Sequence, residues 1–115
     1  MNNGDDSMMY ELRTYIIPQG RMDDILNRFE NVTMRLFEKH GMEVVGFWTT
    51  SKLAEKNTLI YLMRYEDEKH MNSAWSAFRH DEEWIMTREK TEAHGPIVEE
   101  VISEQLFPTS FSPIQ

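Results

Sequence analysis

The sequence predicts an α+β fold: a ferredoxin-like plait with an antiparallel four-stranded sheet and helices on one face, paired with a second copy as a dimeric α+β barrel. The order of strand-like and helix-like segments, β-α-β-β-α-α-β, predicts two split βαβ halves. The length of 115 residues, 40% of them hydrophobic, suits one domain with an ordinary core. Two of the strands are apolar on both faces although helices cover only one, which favours a second copy packed about a two-fold axis.

The first strand is predicted at residues 9–17, where β-branched and aromatic residues dominate, and Pro18 closes it. Side chains alternate across a strand, so Glu11, Arg13 and Tyr15 share one face. An acid and a base two positions apart lie about 7 Å apart along a strand. They can therefore pair with each other or hold a polar ligand between them.

A helix is predicted to follow the first strand and to end at His40. Acidic residues occupy its first turn and basic residues its last, which complements the helix dipole. Gly41 supplies a left-handed stop. The apolar positions recur at helical spacing, and they are Met22, Ile25, Leu26, Phe29, Val32, Leu36 and Phe37.

Two strands come next, at residues 43–51 and 58–65, joined by a polar turn. Simple alternation places Val44, Gly46 and Trp48 on one face of the first of them. The second has apolar residues on both faces, and these are Leu59, Tyr61, Met63 and Tyr65 against Ile60 and Leu62.

The second half of the chain carries two helices and a last strand. Asp67 and Asp81 can each cap one helix, and Gly95-Pro96 ends the second. A fourth strand is predicted at residues 97–106. The predicted organisation is a disordered tail at 1–8, the barrel domain at 9–107 and an extended tail at 108–115.

Composition excludes several classes of function. With a net charge of −8 and no Lys/Arg stripe, nucleic acid and anionic membrane surfaces are unfavourable partners. The absence of cysteine excludes disulfides and thiolate chemistry. No apolar run approaches the roughly 20 residues that span a bilayer, and the polar, acidic start is unlike a signal or transit peptide. A cytoplasmic protein is therefore expected.

Several short motifs resemble, in their order and spacing, those of the NIPSNAP family. They are Tyr10-Glu11-Leu12-Arg13-Thr14-Tyr15, His40-Gly41, Gly46-Phe47-Trp48, Tyr61-Leu62-Met63-Arg64-Tyr65, Phe78 to Asp81 with Trp84, and Phe111-Ser112-Pro113. The resemblance covers residues 9–113. It implies a fold similar to that of cofactor-free monooxygenases, haem-degrading enzymes and stress-related barrels, in a family whose biochemical activity is largely unknown.

The strongest candidate for ligand binding is Arg13, with Glu11 and Tyr15 beside it. A guanidinium suits a planar carboxylate or a carbonyl-bearing ligand. The alternative is an ion pair between Glu11 and Arg13, internal or bridging two subunits, that fixes register. The sequence keeps both interpretations open.

The other candidates lie in later segments. His40 could act as a general base or could simply contact the last carbonyls of its helix. Trp48 and Tyr61 could stack on a flat ligand, or they could be core. No metal ligand set, haem site or nucleotide loop is recognisable, so no metal and no cofactor are predicted.

The sequence therefore supports two alternative functions. The first is a small-molecule-binding dimeric barrel for an apolar or carboxylate-bearing ligand. In its enzymatic form, which resembles cofactor-free monooxygenases or isomerases, His40 or Glu11 moves a proton and Arg13 holds an anionic oxygen. The second is a non-enzymatic structural or interaction module with a filled barrel core. Cavity volume distinguishes them. The full predicted lining is Glu11, Arg13, Tyr15, His40, Trp48 and Tyr61.

Overall fold

The computed structural model describes residues 8–51 and 55–115, which form an antiparallel four-stranded sheet in the order β2-β3-β1-β4. This strand order is that of the ferredoxin-like plait, so the predicted α+β plait with an antiparallel four-stranded sheet is confirmed. Nearly all of the predicted N-terminal tail, and part of the predicted polar turn before the third strand, lie outside the described residues. The elements are β1 Met9–Ile16, α1 Met22–Arg28, a π-helical turn Phe29–Thr33, α2 Met34–Lys39, β2 Glu43–Thr49, β3 Thr58–Tyr65, α3 Glu68–Arg79, α4 Glu82–Thr91 and β4 Glu100–Leu106.

The first predicted helix forms without a break from Met22 to Lys39, and its middle turn, Phe29–Thr33, is π-helical rather than α-helical. The hydroxyl of Thr33 donates to the carbonyl oxygen of Arg28 at 3.3 Å, five residues back, which matches the wider turn. Single π turns inside α-helices are frequent at functional sites. The run ends as predicted, because Gly41 has a φ of 69°, in the left-handed region.

The two later helices begin at the predicted caps. The side chain of Asp67 accepts from the main-chain N–H of His70, and that of Asp81 accepts from the N–H of Glu83. The second of these helices ends earlier than predicted, at Thr91. Within residues 8–51 and 55–115, no helix is long and apolar enough to cross a membrane.

A β-bulge in β2 corrects the predicted strand faces. The register shifts between Val44 and Gly46, so Val44 pairs with Met63 while Phe47 pairs with Tyr61. One extra residue reverses the alternation. Val44 and Phe47 therefore both face the helices, and the prediction that Val44 shares a face with Trp48 is wrong.

The core lies between the sheet and the helices. The helix-facing residues of β3 are almost completely buried, and they pack against the apolar stripes of α2 and α3. Burial of each such side chain contributes about 1.5–3 kcal/mol. The largest fully buried side chains are Tyr61, Tyr65, Phe37, Ile25, Leu36, Leu59, Met63 and Ile97.

Within residues 8–51 and 55–115, no helix covers the opposite face of the sheet, and this face carries several apolar side chains, as predicted for β2 and β3. It carries the half-exposed side chains of Trp48, Ile102 and Leu106. The C-terminal segment returns towards this face, because the hydroxyl of Tyr10 donates to the main-chain oxygen of Gln115 at 2.8 Å. A turn closed by the bond from the Ser112 N–H to the Thr109 oxygen precedes that contact, so residues 108–115 are not extended throughout as predicted.

Candidate functional site

The carboxylate of Glu11 is the centre of a buried polar network between the sheet and α3. Glu11 is only 4% exposed. Its Oε1 accepts from the Tyr65 hydroxyl at 2.7 Å and from the indole Nε1 of Trp75 at 2.8 Å. Its Oε2 accepts from Arg13 Nη1 at 2.8 Å and from the hydroxyl of Ser103. Four donors from three strands and one helix thus satisfy both oxygens.

This environment keeps Glu11 ionised. Burial acts to raise the pKa of its carboxyl group, but hydrogen bonds from Ser103, Tyr65 and Trp75 and the charge of Arg13 outweigh it, so the pKa lies below the ordinary 4.5. A carboxylate with a lowered pKa and four donors is a weak proton acceptor. Of the two ion-pair alternatives predicted from the sequence, the structure shows the internal pair, with Glu11 and Arg13 bonded within one chain.

The guanidinium of Arg13 is fixed by the same network. Its Nε donates to the Tyr61 hydroxyl at 2.6 Å and its Nη2 to the Tyr15 hydroxyl at 3.4 Å. Its Cζ lies 4.3 Å from the ring centroid of Trp75. Burial opposes the charge, but the oxygens of Tyr61, Tyr15 and Glu11 raise the pKa of Arg13 above its ordinary value. The structure therefore brings four of the predicted residues together.

A cavity of about 300 Å³ adjoins this network, between the sheet and the helices. Arg13 and Tyr15 line it, whereas the fully buried Tyr61 supports them from behind. Most of its lining residues are arginines and aromatic residues. The arginines are Arg13, Arg28, Arg79 and Arg88, the aromatic residues are Tyr15, Phe29, Phe37, Trp75, Phe78 and Trp84, and the acidic residues are Glu92, Glu99 and Glu100.

The four arginines differ in how far they are engaged. Arg28 Nη1 donates to Glu92 at 3.0 Å and to the hydroxyl of Thr91 at 3.1 Å, and its Cζ lies 4.8 Å from the centroid of Trp84. Its Nε is buried without a hydrogen-bond partner among the described residues. Arg88 Nε lies 3.4 Å from the same Glu92 carboxylate.

Two predicted site residues lie away from the cavity. Trp48 is on the opposite face of the sheet and is 52% exposed. His40 caps the end of α2, where its Nε2 lies 2.7 Å from Asp81 Oδ2 and its ring packs behind the cavity-lining Phe78. His40 therefore ties the end of α2 to the start of α4, and the prediction that these two side chains line one cavity with Arg13 is wrong.

Comparison with known proteins identifies the family. The NIPSNAP family model matches residues 10–113 of this chain. The chain belongs to the NIPSNAP family. The human Protein NipSnap homolog 3A is 29% identical over 79 residues, which are 69% of this chain and 31% of the human protein. The chain thus spans about a third of the length of the curated relatives it matches.

Solved structures show that the NIPSNAP fold is shared. A NIPSNAP family protein of unknown function from Agrobacterium tumefaciens has a TM-score of 0.81 at 21% identity, covering 96% of each chain. A dimeric ferredoxin-like protein from an uncultured marine organism has a TM-score of 0.63 at 11% identity, covering 98% of this chain and 97% of its own. These likenesses concern the fold.

The sequence does carry a signal for the cavity arginines that the predictions missed in this NIPSNAP chain. Arg28 falls on the buried stripe of the first helical run, beside Phe29, where a charge is out of place. Arg79 and Arg88 each lie four positions after a tryptophan on the same helix, at the spacing that brings side chains together. Both of these tryptophans, Trp75 and Trp84, line the cavity as well.

Proposed function

We propose that this NIPSNAP chain forms a homodimer that binds a small, partly apolar ligand bearing a carboxylate in the sheet–helix cavity. The observation that carries the proposal is the concentration of four arginines around one cavity in a chain with a net charge of −8. The volume of about 300 Å³ is at the lower end of small-molecule sites. Aromatic rings between the arginines supply an apolar surface for the rest of the ligand.

The same geometry favours binding over proton transfer. The alternative function, a non-enzymatic module with a filled core, would leave no space for more than a few waters. The cavity has about ten times the volume that one water occupies in the liquid, which favours the binding function. Of the two proton acceptors considered from the sequence, Glu11 is saturated with donors and His40 lies outside the cavity. A monooxygenase-like or isomerase-like activity therefore has less support than binding. The cytoplasmic location and the domain limits at 9–107 stay predictions.

The homodimer is supported by the exposed apolar residues on the sheet face that no helix of the described residues covers. Exposed apolar residues grouped on one face are typical of an association site, and one protein of similar fold is described as dimeric. Ile102 lies on this face, whereas the similarly exposed Ile85 lies on α4. In sedimentation velocity, Ile102→Glu should convert a dimer to monomer while Ile85→Glu should not. A monomeric wild type would overturn this part of the proposal.

The ligand site can be tested with a blocking variant. Val101 lines the cavity from β4 and is 47% exposed, so Val101→Trp fills the cavity without disturbing the core. The matched control is Ile85→Trp, an equally exposed position that does not line the cavity. In calorimetric titration with 1-naphthoate, wild type and the control should bind while Val101→Trp should not. Equal binding by all three proteins would place the ligand elsewhere.

A further inference from the structure

We infer that Arg79 recognises the carboxylate of the ligand, and that the ligand is a flat ring carrying that carboxylate. This inference rests on the ligand cavity proposed above and assigns a residue and a ligand class to it. Arg79 is the last residue of α3 and lines the cavity from its exposed side.

The four cavity arginines differ in their side-chain partners. Arg13 is engaged by Glu11 and two tyrosine hydroxyls, and both Arg28 and Arg88 reach the carboxylate of Glu92. Arg79 makes no ion pair or hydrogen bond with any side chain in the described part of the protein. Arg79 is therefore the one among the four whose guanidinium has no side-chain partner in the described residues, so a ligand can pair with its whole N–H edge.

The guanidinium of Arg79 also lies beside an aromatic ring of the cavity. The Cζ of Arg79 lies 5.5 Å from the ring centroid of Trp75, the same ring over which Arg13 lies at 4.3 Å. Contact with an aromatic face orients a guanidinium and leaves its N–H edge available. An anion bound at this edge lies beside an indole ring whose own N–H is already committed to Glu11.

The wall of the cavity beside Arg79 favours a flat ligand. Trp75, Phe78 and Trp84 form one continuous aromatic wall of the cavity, with centroid separations of 5.4 Å and 4.8 Å between successive rings. Aromatic rings favour offset or edge contacts with another ring. A flat ring against this wall places its carboxylate at Arg79.

Nearby carboxylates do not cancel this charge. Glu92 is held by two arginines, and Glu99 and Glu100 are exposed at the start of β4, where water and salt screen them. Anions therefore meet an uncompensated cation at Arg79 and screened acids on the strand side.

The test compares an anionic probe, 1-naphthoate, with its neutral analogue 1-naphthylmethanol by calorimetric titration. Wild type should bind the anion about tenfold more tightly, the effect of one charge-assisted contact. Arg79→Gln should remove this preference by weakening the anion alone, and Arg79→Lys should retain part of it. The control is Arg35→Gln, which removes the same charge from an exposed arginine that pairs with Glu83 and does not line the cavity.

The outcomes separate this inference from the proposed function. If Arg79→Gln keeps the preference for the anion, or if Arg35→Gln loses it equally, Arg79 is not the recognition residue. If wild type binds both probes without preference and Val101→Trp blocks both, the cavity stands and the carboxylate class is wrong. If wild type binds neither probe, both the proposed function and this inference fail.

Discussion

Glu11→Gln is the substitution that tests the buried network most directly. Glutamine has nearly the same volume as glutamate, so no cavity is created and the change is electrostatic. Two pairs of donors reach the carboxylate: Tyr65 and Trp75 at one oxygen, Arg13 and Ser103 at the other.

The geometry of the network requires that Glu11→Gln lose at least one of these hydrogen bonds. The hydroxyls can rotate and accept, but the indole N–H and the guanidinium cannot. The amide NH₂ of glutamine therefore opposes either Trp75 or Arg13, whichever way it is turned. Breaking a buried ion pair by removing one partner destabilises a protein by about 3–5 kcal/mol. Because glutamine keeps one acceptor oxygen, we expect a loss of about 3 kcal/mol.

Equilibrium urea unfolding at fixed protein concentration, followed by far-UV circular dichroism, measures this loss. With an m-value of about 1.5 kcal/mol per M, the midpoint should fall by about 2 M. The matched control is Glu38→Gln, since Glu38 is exposed on α2 and its side chain makes no bond among the described residues. The control should stay within about 0.5 kcal/mol of wild type. A Glu11→Gln loss no greater than that of the control would refute the reasoning.

Three further outcomes are expected. The pKa of Glu11 in the folded protein lies below the ordinary 4.5, so its ionised carboxylate contributes to the free energy of unfolding above pH 4.5, and this contribution is lost as the pH falls through the folded pKa. The urea midpoints of wild type and Glu11→Gln should therefore converge as the pH falls through that range. A difference between the two midpoints that stayed constant with pH would contradict the lowered pKa of Glu11. Gly41→Ala places a side chain at a φ of 69° and should lower stability by about 1–2 kcal/mol in thermal unfolding; an unchanged midpoint would argue against the left-handed stop. Hydrogen bonds from Lys39 and His40 hold the pKa of Asp81 well below its ordinary value of 3.8, so Asp81→Asn should lower the melting temperature at neutral pH. The difference in melting temperature between wild type and Asp81→Asn should shrink as the pH falls below 3.8 towards the folded pKa of Asp81.

Much of the fold could be predicted because its signals are local. A cap such as Asp67 or Asp81 acts on N–H groups within three residues, and the stop at Gly41 needs only a positive φ. The strand of Glu11 and Arg13 was also predictable from residue type and alternation. These features depend on neighbours in the sequence, and they were confirmed by the structure.

The site was harder to predict because one residue of insertion changes which face a side chain occupies. The bulge at Val44 and Gly46 places Trp48 on the opposite face of the sheet from Arg13. The position of His40 depends on Asp81, which lies 41 residues further along the chain. The spacing of residues within one strand or helix reveals neither the bulge in β2 nor the contact between His40 and Asp81.

The cavity arginines differ in their number of side-chain partners, from three at Arg13 to none among the described residues at Arg79. We expect this difference to separate the arginine that stabilises the fold from the one that recognises the ligand. Arg13 is held by Glu11 and two hydroxyls in the core, and the Glu11 carboxylate already compensates its charge, so an anionic ligand gains little from it. Arg79 has no such partner among the described residues and lies at the exposed side. Glu11→Gln should therefore weaken folding and affect ligand binding only through lost structure. Arg79→Gln should weaken binding of an anion without changing the urea midpoint. If both variants affected stability and binding in the same proportion, the cavity arginines would act as one structural unit. The assignment of Arg13 to stability and of Arg79 to ligand recognition would then be wrong.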